Sequence, residues 1–316
     1  MKILANDGIA KSGIVMLEAA GHEVITENVP QDQLIDAINN EGYEVVLVRS
    51  ATTVRKEVID ACPNLRMIGR GGVGMDNIDV EYARSVGRLV FNTPGASSQS
   101  VAELVMTQLF SLARTTYDAN RQMPEHGSSD FKVLKKKYGK GIELRGKTLG
   151  IIGIGRIGQS LASYALGCGM SVVAHDPFID RVQIIVNVAG EEVKVNLDTV
   201  DMDTLLSSSE FISLHVPKQA DGSAVIGAKE LAQMKDNVRL VNAARGGVVD
   251  EDALLDALKS GKVAAAALDV FENEPNPRTD LMSQGHIATT PHVGAATLEA
   301  QDRIGEELAE FIISNQ

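Results

Sequence analysis

"TLGIIGIGRIG", residues 148–158, runs an apolar stretch into three glycines, Gly153, Gly155 and Gly158, at GxGxxG spacing. Glycine-rich turns produce that spacing by chance, so the flanks decide its meaning. A strand-like run precedes it, a helical pattern opens at Arg156, and eighteen residues after Gly158 the acidic Asp176 closes the next apolar run, "SVVAHD" (171–176). Strand, tight turn, helix, strand and acid is the order of a dinucleotide-binding βαβ unit. Gly153 permits the turn, Gly155 lets the backbone approach a pyrophosphate, and Gly158 lets helix and strand pack closely. The helix N-terminus at Arg156 and Ile157 favours the anion. A carboxylate at 176 accepts hydrogen bonds from a ribose diol and repels a 2′-phosphate, so NAD is expected over NADP. Arg181, close by in sequence, is the residue that argues the other way.

On both sides of residues 148–158, strands and helices alternate. On the C-terminal side come "FISLHV" (211–216), "AKELAQMK", "VRLVN" (238–242), "EDALLDALKSG", "AAALDV" (265–270), "IATT" and a last helix over roughly 297–314. On the N-terminal side "KILAN", "EVIT", "EVVLVR" (44–49), "RMIGR" (66–70) and "RLVFN" are interleaved with amphipathic segments. Alternation of this kind means parallel sheets covered on both faces by helices. At 316 residues the chain exceeds one small core, so the expectation is two doubly wound α/β domains. The stretch 92–100, "NTPGASSQS", breaks the first alternation and caps a long helix, "VAELVMTQLFSLART". Residues 118–146 are polar and Lys-rich and read as a surface connection. Residues 181–197 alternate like a small hairpin, although a helix is compatible with them.

A net charge of −12 and a pI near 5.0 disfavour nucleic acid or an anionic membrane as partners, and no apolar run reaches a transmembrane length. Two cysteines, Cys62 and Cys168, and an opening "MKILAND" without the apolar core of a signal peptide suggest a reducing, cytoplasmic setting. No metal site is expected. In so acidic a chain, an anionic small molecule needs local arginines.

Four charged or titratable residues stand just beyond apolar runs: Arg245 in "VNAARGGVVDE", Asp269 in "AALD", Glu274 in "VFENEP" and His292 in "TTPHVGAAT". In open parallel sheets the carboxyl ends of the strands border the ligand crevice. Singly, Arg245 could be a surface ion pair, Glu274 a turn residue before Pro275, and His292 a structural histidine. As a set they resemble the D-2-hydroxyacid dehydrogenases. The likeness covers essentially the whole chain, in "VNAARGGVVDEDALLDAL" (241–258), "AALDVFENEP" (266–275) and "PHVGAAT" (291–297). "VRSATTV" (48–54), "GRGGVGMDNID" (69–79) and "NTPGASSQSVAEL" (92–104) resemble the branch of that family acting on 3-phosphoglycerate.

That resemblance implies His292 as acid/base, Glu274 as its partner, Arg245 as ligand of the substrate carboxylate and Asp269 as a contact to the nicotinamide end. It implies further cofactor contacts at Val216, Pro217, Ala243, Gly294 and Ala295. It also implies a discontinuous fold: a flavodoxin-like substrate domain of residues 1–97 plus 291–316, and an inserted Rossmann NAD-binding domain of residues 98–290, with a cleft that closes on binding. Family members dimerise through the NAD-binding domain, so a homodimer is expected, with Lys135, Lys136 and Lys137 either a solvated charge run or candidates to reach a neighbouring subunit. The C-terminal regulatory module of longer members is expected to be missing.

Arg49 and Arg70 each end a strand of the first domain, and Gly72 and Val73 follow in a loop suited to anions. Together they suggest a substrate with a second anionic end, for which phosphate fits. The remaining alternatives are another D-2-hydroxy acid of glycerate, glyoxylate or hydroxypyruvate type, or an NADH-sensing binding protein of the corepressor kind. Turnover separates the last from the others.

Overall fold

A computed structural model describes all 316 residues, which divide into two compact units, Met1–Ser100 with Ala295–Gln316, and Val101–Gly294. The boundaries expected from sequence lie three or four residues away.

In the first unit β1 (Lys2–Ala5), α1 (Lys11–Ala19), β2 (Glu23–Ile25), a 3₁₀ turn at Gln31–Gln33, α2 (Leu34–Glu41), β3 (Val45–Val48), α3 (Lys56–Ala61), β4 (Met67–Arg70), α4 (Val80–Ser85) and β5 (Leu89–Asn92) follow one another. The five strands are parallel in the order β2-β1-β3-β4-β5. "VVLV" of β3 is buried on both faces because successive side chains point opposite ways. Val45 and Leu47 join one core, and Val46 and Val48 the other. The order reverses between β1 and β3, so Asn6, Asp7 and Arg49 lie at the switch point where such sheets bind ligands.

Next come α5 (Ser98–Arg114), α6 (Thr116–His126) and α7 (Phe131–Tyr138), then β6 (Thr148–Ile152), α8 (Arg156–Gly167), β7 (Ser171–His175), β8 (Arg181–Val188), β9 (Glu191–Asp198), α9 (Met202–Ser208) and β10 (Phe211–Leu214). They are followed by α10 (Ala228–Gln233), β11 (Val238–Asn242), α11 (Glu251–Ser260), β12 (Val263–Leu268), α12 (Thr279–Met282) and β13 (Ile287–Thr289). Six of these strands form a parallel sheet, β13-β12-β11-β10-β6-β7, whose order reverses between β6 and β10. The chain returns to the first unit as α13 (Leu298–Ser314), where Ile304, Leu308 and Ile312 pack with Leu17, Leu47 and Phe91.

One segment differs from the sequence reading, and another resolves the alternatives it left open in favour of the hairpin. Residues 118–146 carry α6 and α7 rather than an irregular connection. The helices are locked together by Asp118, whose Oδ2 accepts hydrogen bonds from Lys137 Nζ and Tyr138 Oη, both at 2.7 Å. Burial pushes the Asp118 carboxyl up, but the two hydrogen bonds outweigh it and leave the group below the usual carboxylate range. Residues 181–198 form the hairpin, with antiparallel β8 and β9 in register Arg181↔Asp198 to Val188↔Glu191. Ala189 (φ 53°) and Gly190 (φ 90°) supply the two left-handed residues of its turn. Ile184 and Val186 pack with α8 residues Leu161 and Ala165. No helix of the chain is long and apolar enough to cross a membrane.

Candidate active site

The second unit gathers its functional residues along the carboxyl ends of its parallel strands. At the switch point Gly153 has φ 92°, and a Cβ there would stand 2.5 Å from the His215 carbonyl oxygen, so only glycine fits. A Cβ on Gly158 would stand 2.3 Å from the Gly153 oxygen, the close helix-to-strand approach expected of that position. Around Gly155 there is open space, next to the free N–H groups of the first turn of α8. A pyrophosphate fits that geometry. Asp176 leans on the same turn: its Oδ2 accepts from Ile154 N at 3.0 Å and its Oδ1 from Phe178 N at 2.9 Å. Arg181, the residue that spoke for a 2′-phosphate, pairs with Asp198 at the base of the hairpin through both Nε and Nη2.

Behind the turn, His215 follows β10, with Val216 and Pro217 after it. Its Nε2 is 2.9 Å from Ser213 Oγ, while its Nδ1 is buried without a protein partner. Burial lowers its pKa to about 4, so the ring is neutral at pH 7.

Three adjacent strand ends carry the remaining candidates. After β11, Ala243 and Ala244 lead to Arg245, whose Nη1 donates to the Ala244 carbonyl at 2.7 Å and whose own carbonyl accepts from Asn242 Nδ2 at 3.0 Å. A Cβ on Gly246 would stand 1.7 Å from the Phe271 oxygen, which means that the turn after Arg245 rests directly on the loop after β12. In that loop Glu274 Oε1 accepts from Phe271 N at 2.9 Å, and its Oε2 is 2.8 Å from His292 Nδ1. The sequence-selected carboxylate and imidazole are therefore in contact. A ring whose Nδ1–H is held by a carboxylate presents Nε2 for proton transfer.

Asp269 is 1% exposed, and its carboxylate is occupied by the protein itself. Oδ1 accepts from Thr290 Oγ1 at 2.6 Å and Val293 N at 2.9 Å, and Oδ2 from Gly294 N at 2.9 Å. His292 N donates to the Asp269 carbonyl at 2.8 Å, and His292 has φ 53°, a left-handed conformation that side chains rarely adopt. The side chain of Asp269 thus shapes the turn that presents His292. Ala295, a further expected cofactor contact, belongs to the first unit, where its carbonyl accepts from Gln301 Nε2.

Sequence reasoning overlooked Glu251. This buried residue at the start of α11 accepts from Glu272 N at 2.9 Å, while Glu251 N donates to Glu272 Oε1 at 3.4 Å. Burial pushes its carboxyl up. The pair staples the loop that carries Glu274, and no local pattern announces it.

The first unit has its own polar cluster. Arg49 follows β3 and Arg70 ends the adjacent β4. Both lie over one pair of glycines: Arg49 Cγ is 3.6 Å from where a Gly71 Cβ would stand, and Arg70 Nη1 is 1.8 Å from where a Gly72 Cβ would stand, space that only glycine leaves open. The Val73 carbonyl accepts from Asn92 Nδ2 at 2.6 Å. The Arg49–Thr53 loop is held from below, because Asp7 Oδ2 accepts from Arg49 N at 2.6 Å and Thr52 N at 3.0 Å. Asn77 Nδ2 donates to the carbonyls of Arg49 and Thr52 at 2.9 and 2.6 Å.

Comparison with known proteins shows the family. Residues 106–294 match the family described as D-isomer specific 2-hydroxyacid dehydrogenase, NAD binding domain. The chain is 42% identical over 316 residues to the D-3-phosphoglycerate dehydrogenase of Archaeoglobus fulgidus, aligning 99% of its own length with 57% of that protein. It is 43% identical to the hydroxypyruvate reductase of Thermotoga maritima, over 98% of this chain and 97% of that one. Among solved structures, the D-lactate dehydrogenase of Aquifex aeolicus complexed with NAD and lactic acid superposes with a TM-score of 0.76 at 27% identity, over 99% and 94% of the two chains. The chain belongs to the D-isomer specific 2-hydroxyacid dehydrogenases, and its second unit is their NAD-binding domain.

Proposed function

We propose that the protein is an NAD-dependent dehydrogenase that oxidises D-3-phosphoglycerate to 3-phosphohydroxypyruvate, as in the first step of serine biosynthesis. The observation that carries the dehydrogenase reading is the 2.8 Å contact between His292 Nδ1 and Glu274 Oε2 beside the glycine turn's own sheet edge. Bound NAD supplies the hydride acceptor. Arg245 grips the planar C1 carboxylate with its guanidinium fork and so fixes the orientation of C2. Neutral His292 takes the C2 hydroxyl proton at Nε2, and Glu274 stabilises the imidazolium that results. In the reverse direction the imidazolium returns that proton to the carbonyl oxygen.

The phosphate is the finer part of the proposal, supported by Arg49 and Arg70 over Gly71 and Gly72. A substrate with a second anionic group needs a second cationic group, and the two arginines at adjacent strand ends support that reading. The full-length match to a hydroxypyruvate reductase favours a second reading, an unphosphorylated 2-hydroxy acid. Measuring kcat/KM for 3-phosphoglycerate, glycerate, lactate and the corresponding 2-oxo acids, each with NAD and NADP, tests both. A preference of less than tenfold for the phosphorylated acid moves the substrate to the second reading, and no turnover with any of them removes the enzyme.

The proposal extends to a homodimer through the second unit. Its support is apolar surface: Phe110 on α5 and Phe131 and Val133 on α7 are 49%, 57% and 64% exposed. Sedimentation at the monomer mass would reject it. Lys137 is held by Asp118 of its own chain, which leaves Lys135 and Lys136 as the basic groups able to reach a neighbour.

A further inference from the structure

Gln108 is a polar side chain in an apolar place. It lies on α5 three residues after Val105 and four before Leu112, both core residues, and is itself only 4% exposed. Its Oε1 is buried and has no hydrogen-bond partner in the protein. An apolar residue of the same size would avoid that cost, so packing alone does not select glutamine here.

What the amide does make is one directed contact. Gln108 Nε2 donates to Thr290 Oγ1 at 3.3 Å. A threonine hydroxyl has one proton and rotates to suit its surroundings. With a donor on its lone pair, the Thr290 proton is directed to Asp269 Oδ1, 2.6 Å away. That carboxylate in turn holds the N–H groups of Val293 and Gly294 around His292 and its left-handed backbone. Gln108, Thr290 and Asp269 form a chain in which each donor polarises the next.

We infer that Gln108 is a positioning residue for His292, acting through Thr290 and Asp269 to hold the histidine turn in its strained conformation. The inference rests on the reading of His292 as the acid/base. Gln108→Met tests it, because methionine keeps the volume and the unbranched stem while deleting the donor. The expected result is a kcat lowered about 2- to 12-fold, the effect of one net hydrogen bond, with KM within about twofold. The melting temperature should be equal to or above that of the wild type, since the unpaired amide oxygen goes too. Hydrogen exchange should quicken at Val293 and Gly294 and stay unchanged at Ile212 and Leu240 in the sheet. Unchanged exchange at those two amides overturns the inference, as does a general rise in exchange with a lower melting temperature, which would make Gln108 a packing residue only. Selective quickening at 293–294 in a protein that turns over no 2-hydroxy acid leaves the brace standing and removes the catalytic reading instead.

Discussion

The two units use the same device, a parallel sheet with polar residues at the switch point, but they commit those residues differently. In the second unit nearly every group at the edge is spoken for: glycines fill spaces no Cβ could enter, Asp269 is consumed by the turn it shapes, and Glu274 is divided between Phe271 N and His292. In the first unit the backbone of the Arg49–Thr53 loop is fixed by Asp7 and Asn77, while the Arg49 guanidinium itself makes no hydrogen bond or ion pair with the protein. A step common to a whole family needs atoms held before the substrate arrives, and choice among substrates needs uncommitted charge. On the proposed reading, chemistry falls to the second unit and selection among substrates to the first.

His292→Ala puts that assignment at greatest risk. General acid–base catalysis contributes about 10²- to 10⁴-fold, and kcat should fall by that much while NADH affinity, titrated by fluorescence, stays within a few-fold. Parallel losses in kcat and NADH affinity would make His292 part of the dinucleotide site and dissolve the division. Arg49→Ala and Arg70→Ala come next. Each should cost about 10- to 150-fold in kcat/KM for 3-phosphoglycerate, the range for a hydrogen bond to a charged group, and far less for an acid without phosphate. Arg245→Ala is the contrasting variant and should damage both substrates alike. Equal losses for phosphorylated and unphosphorylated acids in the Arg49 and Arg70 variants would remove selection from the first unit.

Asp176→Ser asks a narrower question of the second unit. Losing one acceptor and one repulsive charge should narrow the preference for NAD over NADP by about tenfold, read as a ratio of kcat/KM values. A wild-type protein that already prefers NADP would contradict the ribose assignment. The smallest effect concerns His215 behind the glycine turn. Its folded-state pKa of about 4 lies below the ordinary 6.5, so between those values only the unfolded chain binds the proton, and stability declines as pH falls from 6.5 towards 4. From pH 7 to pH 5.5 the loss attributable to this ring is about 1 kcal/mol, measurable as the part of the urea-midpoint shift that His215→Asn abolishes. An identical pH dependence in that variant would mean that the ring is not held neutral.

The apolar alternation of β1, β3, β6 and β11 was legible because burial on both faces leaves runs such as "VVLV" that few other structures tolerate. The helices of 116–138 were not. Their apolar residues are sparse and several, Phe131 and Val133 among them, stay exposed, so no buried periodic face marks them, and the contact that locks them spans nineteen residues, from Asp118 to Lys137. In the hairpin, the alternation of Val182, Ile184 and Val186 was visible, and so was the helix opening at Arg156, but not that the one packs on the other.

The dinucleotide turn was legible in the spacing of Gly153, Gly155 and Gly158 between a strand and a helix, Asp176 followed as the expected ribose ligand, and the set Arg245, Glu274 and His292 stood out through the longer motifs that resemble the family. How that set is held follows from contacts between distant parts of the chain. Asp269 closes on the turn at 290–294, Glu251 on the loop at 272, Asp7 on the loop at 49–52, and Gln108 on Thr290 across 182 residues of chain. A hydrogen bond depends on separations fixed to tenths of an ångström between groups far apart in sequence, and hydrophobic periodicity specifies which face of an element is buried without specifying which polar atom it will meet there.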